Sequence, residues 1–265
     1  MITPNDNSSE GQGNMKCPLC KGTLLGNLGG EFLACAGCGL WVRRSVGGMD
    51  DLYRSGWQSP LENLDLTGGT TPALGRNYVS ELVIALGLKD LAGKRILDFG
   101  GGRGEMALAL EAAGAKVVTV DPYSHAQLRE KGLNAVESLA QLEKMDAFDG
   151  AIAIDVIEHL TPPWEQLRTI RSLLKAGGWF YLSTPNAAGL NARMNRADWR
   201  EAHNPSHLYL FTPASMQNVL EKAGFARQRR LRLRVDYSDS WLIQAKDWML
   251  RLVWLDGVLR YLAYV

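Results

Sequence analysis

From residue 93 onward the chain alternates short apolar runs with longer segments of mixed polarity. Residues 95–99 (RILDF), 116–120 (KVVTV), 150–154 (GAIAI) and 179–183 (WFYLS) read as strands, and residues 133–136 as a brief one. Uninterrupted apolar and β-branched runs of this length suit strands covered on both faces. Between them, residues 104–113, 125–131 and 164–175 place apolar positions at helical spacing, with Gly114 and the Gly177-Gly178 pair closing two of the helices. The alternation predicts an α/β fold: a doubly wound, mostly parallel, Rossmann-like sheet with ligands at the carboxyl ends of its strands.

Outside this block the pattern changes. Residues 1–14 are polar and rich in Gly, Asn and Ser, which predicts a disordered leader. Residues 15–46 hold all the cysteines, and residues 47–92 form a connector with lid helices, in which 77–88 is amphipathic and Tyr53 and Trp57 anchor the segment or cover a pocket. The main domain is predicted over residues 93–235. At its end Arg230, Arg232 and Arg234 alternate with Leu231, Leu233 and Val235, as in an edge strand with one wet basic face. Residues 236–265 read as an amphipathic, aromatic C-terminal helix with Gln244, Asp247 and Arg251 on one face. Its charges make it a poor membrane span. It covers a sheet edge, forms a homodimer seam or lies on a bilayer surface.

The 265 residues carry a formal charge of +1 and are 46% hydrophobic, an ordinary soluble composition with no global argument for a polyanionic partner. Charge is uneven, however. Arginines crowd residues 193–234, which indicates either a solvated basic face or the approach of an anionic ligand. Cys17, Cys20, Cys35 and Cys38 form two Cys-x-x-Cys pairs separated by 14 residues, each followed closely by glycine (Gly22, Gly39). That spacing predicts a zinc ribbon with four thiolates on one Zn2+. The N-terminus lacks the basic and apolar regions of a signal peptide, so a cytoplasmic setting with reduced cysteines is expected.

The first long strand runs into Asp98-Phe-Gly100-Gly-Gly102-Arg-Gly104, and Asp121 ends the next strand 21 residues after Gly100. Such glycines let the backbone approach a ligand, and the acid can accept both ribose hydroxyls of an adenosine. Asp98 would repel a dinucleotide's pyrophosphate but suits the cationic S-adenosylmethionine. ILDFGGGRG (96–104), VTVDPYS (118–124), FDGAIAIDVIEHL (148–160), LLKAGGWFYLSTPN (173–186) and HNPSHLYLFTPASMQNVLEKAGF (203–225) together resemble the class I S-adenosylmethionine-dependent methyltransferases, in a subgroup that often carries an N-terminal four-cysteine ribbon. The resemblance implies methylation of small molecules, frequently saccharides or other biosynthetic intermediates, and strand order 3-2-1-4-5-7-6 with a reversed seventh strand. No segment of the sequence reads as that strand.

On this resemblance, Asp98, Gly100, Gly102, Gly104, Asp121, Pro122, Tyr123 and Asp155 bind the donor, with Tyr123 over the adenine and Asp155 at the methionine amine. A hydroxyl acceptor needs a group that is neutral near pH 7 to take its proton, and His207 and His159 are the candidates, His207 favoured and Glu158 in reserve. His203 lies in the same polar segment; His125 and Asn186 read as turn residues. The expected acceptor is a small molecule, with phosphorylated and lipid-linked compounds among the candidates. A nucleic-acid substrate gripped by ribbon and arginines, or a non-catalytic binding module, are the rivals. The ribbon's poverty in Lys and Arg weighs against the first, and the intact Asp98, glycine and Asp121 set against the second.

Overall fold

The computed structural model describes residues 15–26, 28, 30–45, 73–143, 145, 147–232, 241–253 and 255–265. The leader, connector residues 46–72 with Tyr53 and Trp57, and Arg234 lie outside them. The N-terminal unit contains β1 (Leu24–Leu25), β2 (Phe32–Cys35) and β3 (Trp41–Arg43), paired antiparallel in that order. The large sheet consists of β4 (Arg95–Phe99), β5 (Lys116–Val120), β6 (Ala135–Val136), β7 (Phe148–Ile154), β8 (Leu174–Pro185), β10 (Arg227–Arg230) and β11 (Val258–Tyr264). Its order is β10-β11-β8-β7-β4-β5-β6. The pairings from β6 through β8 are parallel, while β11 runs antiparallel to both β8 and β10.

Helices cover both faces. On one, Tyr78 and Leu82 of α1 (Ala73–Leu86), Leu110 of α2 (Glu105–Ala112) and Leu128 of α3 (His125–Glu130) pack with Ile96, Val117 and Ile152. On the other, Leu167 and Ile170 of α4 (Pro163–Ser172) pack with Leu97, Val118 and Phe180. Two short helices, α5 (Leu190–Asn195) and α6 (Arg200–His203), follow β8, and β9 (Tyr209–Leu210) leads to α7 (Pro213–Ala223). Local chemistry fixes α7 at both ends. Thr212 accepts from the Ser215 amide at 3.2 Å, Pro213 occupies the first turn, and Gly224 at φ 92° closes it.

Two boundaries differ from expectation. β8 begins at Leu174, before Gly177 and Gly178, because Leu174 already pairs with Phe148. More consequential, residues 236–265 are not one helix. α8 covers Trp241–Leu252, after which the chain turns at Gly257 and enters the sheet as β11, with Leu259 to Ala263 all buried. A strand buried on both faces shows no polar alternation, so VLRYLAY reads as more of the apolar helix before it. β11 is the reversed strand that the resemblance implies. β10 lies earlier in the chain than the predicted edge strand, ending at Arg230 where that one was to begin, and Arg230 turns inward to Asp256 at 2.9 Å.

The ribbon is joined to the large domain rather than tethered beside it. β3 pairs with β9, extending the ribbon sheet to four strands. Cys17, Leu19, Cys38 and Leu40 share one hydrophobic cluster with Met216 and Leu220 of α7 and Phe180 of β8. A second cluster unites Phe32 and Trp41 with Ala192, Trp199 and Ala202, Trp41 and Trp199 meeting edge to face at 6.0 Å. None of the described helices is long and apolar enough to cross a membrane.

Candidate active site

Two cavities open at the carboxyl edge of the parallel strands. The first, of about 340 Å3, lies over the glycine loop and is lined by Gly100, Gly102, Asp121, Pro122, Tyr123, Glu137, Ser138 and Leu139. The second, of about 980 Å3, lies over β8 and is walled by Asn191, Asn195, Trp199, Arg200, Glu201, Asn204 and His207. Asp155 and His159 line both. Asp155 follows β7 with φ 52°, a left-handed conformation that turns the chain at this junction.

The first cavity is built on the glycine loop. Gly100 has φ 75°, and a Cβ there would collide with Val156; one on Gly101 would collide with Thr119. Gly104, at φ 86°, packs on Leu128 and Leu133 and does not line the cavity. Asp121 Oδ2 accepts from the Gly102 amide at 2.9 Å, and Oδ1 from the amides of Tyr123 and Ser124, each at 2.9 Å. The carboxylate thus clamps the glycine loop to the next turn while bordering the cavity. Asp98 sits beneath the loop, 2% exposed, with Oδ2 lacking a hydrogen-bond partner among the described residues. Burial, helped by the charge of Asp121, pushes its carboxyl up to about 7. An orphaned buried carboxyl under a glycine loop fits a cationic ligand above it.

At the second cavity, Glu158 is wholly buried and its Oε2 accepts from Thr184 Oγ1 at 2.9 Å. Burial, then the nearby Asp155, raises its carboxyl well above the usual range. His159 donates from Nδ1 to the Ser206 carbonyl at 2.8 Å, and burial lowers its pKa. His207, 3% exposed, donates from Nδ1 to the Glu201 carbonyl at 2.8 Å, while Nε2 accepts from Asn204 Nδ2 at 3.0 Å. Burial and the neighbouring His159 depress it to about 3. His207 is therefore neutral but feebly basic, and of the two rings only His159 reaches the junction of the cavities. His203 is exposed and borders neither cavity, and His125, expected in a turn, instead opens α3 with its Nδ1 3.1 Å from the Asp121 carbonyl. Asn186 ties β8 to the Asp256 carbonyl at 2.7 Å.

The ribbon cysteines are reduced, and one atom from each lies within 4.8 Å of the others. The Cys17–Cys38 separation of 3.8 Å matches the ~3.8 Å expected between thiolates around a tetrahedral ion with Zn–S bonds of ~2.3 Å. Amides of Gly22 and Gly37 point at Cys20 and Cys35 sulfurs, each at 3.4 Å. The set fits Zn2+.

Among the described residues, the basic run from 193 to 232 is dispersed rather than gathered into one face. Arg193 binds the Ala188 carbonyl, Arg200 pairs with Glu201, Lys222 lies over Trp164, and Arg229 reaches the Ala85 carbonyl. Sequence reasoning missed Glu137, Ser138 and Leu139 on the first cavity, and Trp199, Glu201 and Asn204 on the second. It also missed Arg43, whose guanidinium holds the second cavity's wall from across the fold. Only Ser138-x-x-Gln141, a helix-start pattern, carried a local signal.

A ubiquinone biosynthesis O-methyltransferase from Chromobacterium violaceum is 36% identical over 108 residues, covering 36% of this chain and 46% of its own length. The chain spans about half the length of the curated relatives it matches. Among solved structures, an S-adenosylmethionine-dependent methyltransferase from Archaeoglobus fulgidus superposes with a TM-score of 0.52 at 20% identity, over 72% of this chain and 94% of that one. The 1,6-didemethyltoxoflavin-N1-methyltransferase of Burkholderia thailandensis, solved with S-adenosylhomocysteine, gives 0.52 at 18% identity over 89% and 99%. At this identity the likeness is one of fold. The methyltransferase domain family matches residues 74–228, more than half of the chain, and the protein belongs to that family.

Proposed function

We propose that the protein transfers a methyl group from S-adenosylmethionine to an oxygen of a hydroxyl-rich small molecule, saccharides being the class that suits the site best. The observation that carries this is the pair of cavities meeting at Asp155 and His159, one shaped for an adenosine and the other lined by amide, carboxylate and guanidinium groups. When bound, the donor supplies a methyl carbon activated by its sulfonium. Asp121 orients the ribose, Tyr123 covers the adenine, and Asp155 faces the amine. The acceptor oxygen bonds to the methyl carbon, the electron pair of the broken C–S bond stays on sulfur, and the hydroxyl proton leaves toward the Glu158–His159–His207 cluster. Alignment of this kind is worth ~7–11 kcal/mol of barrier. A Zn2+ ion on Cys17, Cys20, Cys35 and Cys38 holds the ribbon that backs the acceptor wall.

A lipid-linked acceptor is the second reading. Leu242, Trp248, Met249, Leu252 and Val253 of α8 and the turn after it are exposed, and the chain runs from there to Gly257 and Val258 on the rim of the acceptor cavity. A bilayer contact at that helix would bring such an acceptor to the cavity.

The test supplies methyl-labelled S-adenosylmethionine with fractionated small molecules, lipid extract and RNA. Label in an alkali-stable ether on a water-soluble molecule supports the first reading, and label in the lipid fraction the second. Label in RNA, or no binding of S-adenosylhomocysteine by calorimetry, overturns both.

A further inference from the structure

A third cavity, of about 120 Å3, lies beside the acceptor cavity and shares Asn191, Gly257 and Val258 with it. Its charged walls come from the C-terminal part of the chain: Lys246 and Arg251 from α8, Arg260 from β11, and Asp256 from the turn between them. Among the described lining residues, three cations thus face one carboxylate. The basic run of residues 193–234 contributes none of them. Lys246 is exposed, whereas Arg251 and Arg260 are buried, at 7% and 1% exposure. Buried charge is costly unless anions meet it. Asp256 is divided between neighbours, its Oδ1 pairing with Arg230 at 2.9 Å and its Oδ2 standing 3.8 Å from Arg260. Arg251 and Arg260 also keep contacts of their own. A guanidinium carries five N–H donors on a planar fork, so one edge can hold a neighbour while another receives an oxyanion.

The floor of this cavity is fixed by backbone bonds. The carbonyls of Leu255, Asp256 and Gly257 accept from the Leu190 amide at 3.0 Å, Asn186 Nδ2 at 2.7 Å and the Asn186 amide at 2.9 Å respectively. Gly189 packs so closely that a Cβ there would lie 2.8 Å from the Asp256 carbonyl oxygen. This stitching sets the start of β11 against the carboxyl end of β8, where Val258 pairs with Pro185 and both line the acceptor cavity. The small cavity is therefore an annex of the larger one. It falls below the ~300 Å3 at which pockets for whole small molecules usually begin, yet it has room for one oxyanion.

We infer that this annex binds a phosphoryl group carried by the methyl acceptor, with Lys246, Arg251 and Arg260 meeting its oxygens. The inference rests on the methyl-transfer reading of the neighbouring cavity and narrows the hydroxyl-rich acceptor to a phosphorylated one. Arginine forks suit the several oxygens of a phosphate, and the lysine adds a compact charge at the rim. Held there, the phosphate anchors one end of the acceptor while the rest extends along the cavity toward Asp155, which restricts the hydroxyls that can reach the donor. A soluble sugar phosphate and the phosphate that joins a glycan to a lipid share this chemistry.

The experiment titrates the full, zinc-loaded chain, saturated with S-adenosylhomocysteine, with inorganic phosphate against chloride of equal ionic strength. Nuclear magnetic resonance follows the Nε–H signals of Arg251 and Arg260 and the amides of residues 255–258. Saturable shifts are expected there with phosphate and not with chloride, and Lys246→Glu should weaken the binding roughly tenfold or more. Calorimetry with S-adenosylhomocysteine, expected to be unchanged in Lys246→Glu, reports folding and the donor site independently. Two competitors separate the sources of the phosphate: a hexose phosphate, and vesicles containing a polyprenyl phosphate, each set against its unphosphorylated counterpart. Displacement of inorganic phosphate by either one, and not by its counterpart, supports the annex and identifies the source. No saturable shift, shifts confined to other residues, undiminished binding by Lys246→Glu, or displacement by neither competitor overturns the annex and leaves the donor reading standing. So does equal displacement by the unphosphorylated compounds. Failure of the unsubstituted protein to bind S-adenosylhomocysteine would instead remove the reading on which the annex depends.

Discussion

Arg43, in the third strand of the ribbon, donates its Nε–H to the backbone carbonyl of His207 at 2.7 Å. Its Nη2 reaches the carbonyls of Asn204 at 2.6 Å and Ala202 at 3.3 Å, and its own amide bonds the Leu208 carbonyl at 3.0 Å. One residue of the cysteine unit thus holds the loop that walls the acceptor cavity. The side chain is 9% exposed, so these bonds are made away from water.

Arg43→Ala should cost about 2–3 kcal/mol of stability, because buried bonds to a charged donor are lost. Turnover should fall at least tenfold, since small displacements of positioning groups are amplified in the barrier. Donor affinity, set on the other cavity, should hold. Thermal unfolding, acceptor kinetics and S-adenosylhomocysteine calorimetry on one preparation separate the three effects.

Metal analysis of the purified chain should return about one zinc, and Cys35→Ser should lose it. The ribbon shares its core with α7 and its sheet with β9, so disorder should spread to residues 202–212 on hydrogen exchange. Protection at residues 100–121 should persist. Zinc-free protein with four reduced thiols and intact protection would defeat this prediction.

Asp121→Ala removes the acceptor of three backbone amides as well as the expected ribose contact. Donor binding should weaken by ~1.5–3 kcal/mol. Calorimetry with S-adenosylhomocysteine reads this directly, and unchanged affinity would count against the ribose assignment.

Asp98 gives a pH signature. Burial holds its carboxyl up to about 7 in the folded chain, above the ordinary aspartate value of 3.8, so between these values the folded chain keeps a proton that the unfolded chain has released. Its contribution to stability therefore falls as pH rises across that window. A cationic donor reverses the preference by favouring the ionised carboxyl. S-adenosylmethionine should bind more tightly as pH increases from about 6 to 8, S-adenosylhomocysteine, whose sulfur is uncharged, should show a weaker slope, and Asp98→Asn should flatten both.

The glycine loop, Asp121 and the parallel strands were legible because each depends on neighbours in sequence: a turn, an acid at a strand end, an apolar run. The four-cysteine spacing was legible for the same reason. β11 was not, since its partners lie 73 to 85 residues back in β8 and its buried Arg260 and continuous apolar residues mask any period of two. Arg43 was hidden more deeply. Its bond to His207 spans 164 residues, and no local pattern marks an arginine that will meet three distant carbonyls. His207 was found by its motif, but its burial, and with it its feeble basicity, follows from packing that the motif does not encode.

The antiparallel strand β11 also dictates an order of assembly. It comes later in the chain than both strands it joins, and β10 meets the sheet only through it. During synthesis, β8 must wait with an open hydrogen-bonding edge until residues 258–264 have left the ribosome, while β10 has nowhere to dock. Such an edge is an invitation to pair with another chain. Shortening the chain before residue 264 would thus yield aggregation rather than a smaller working enzyme.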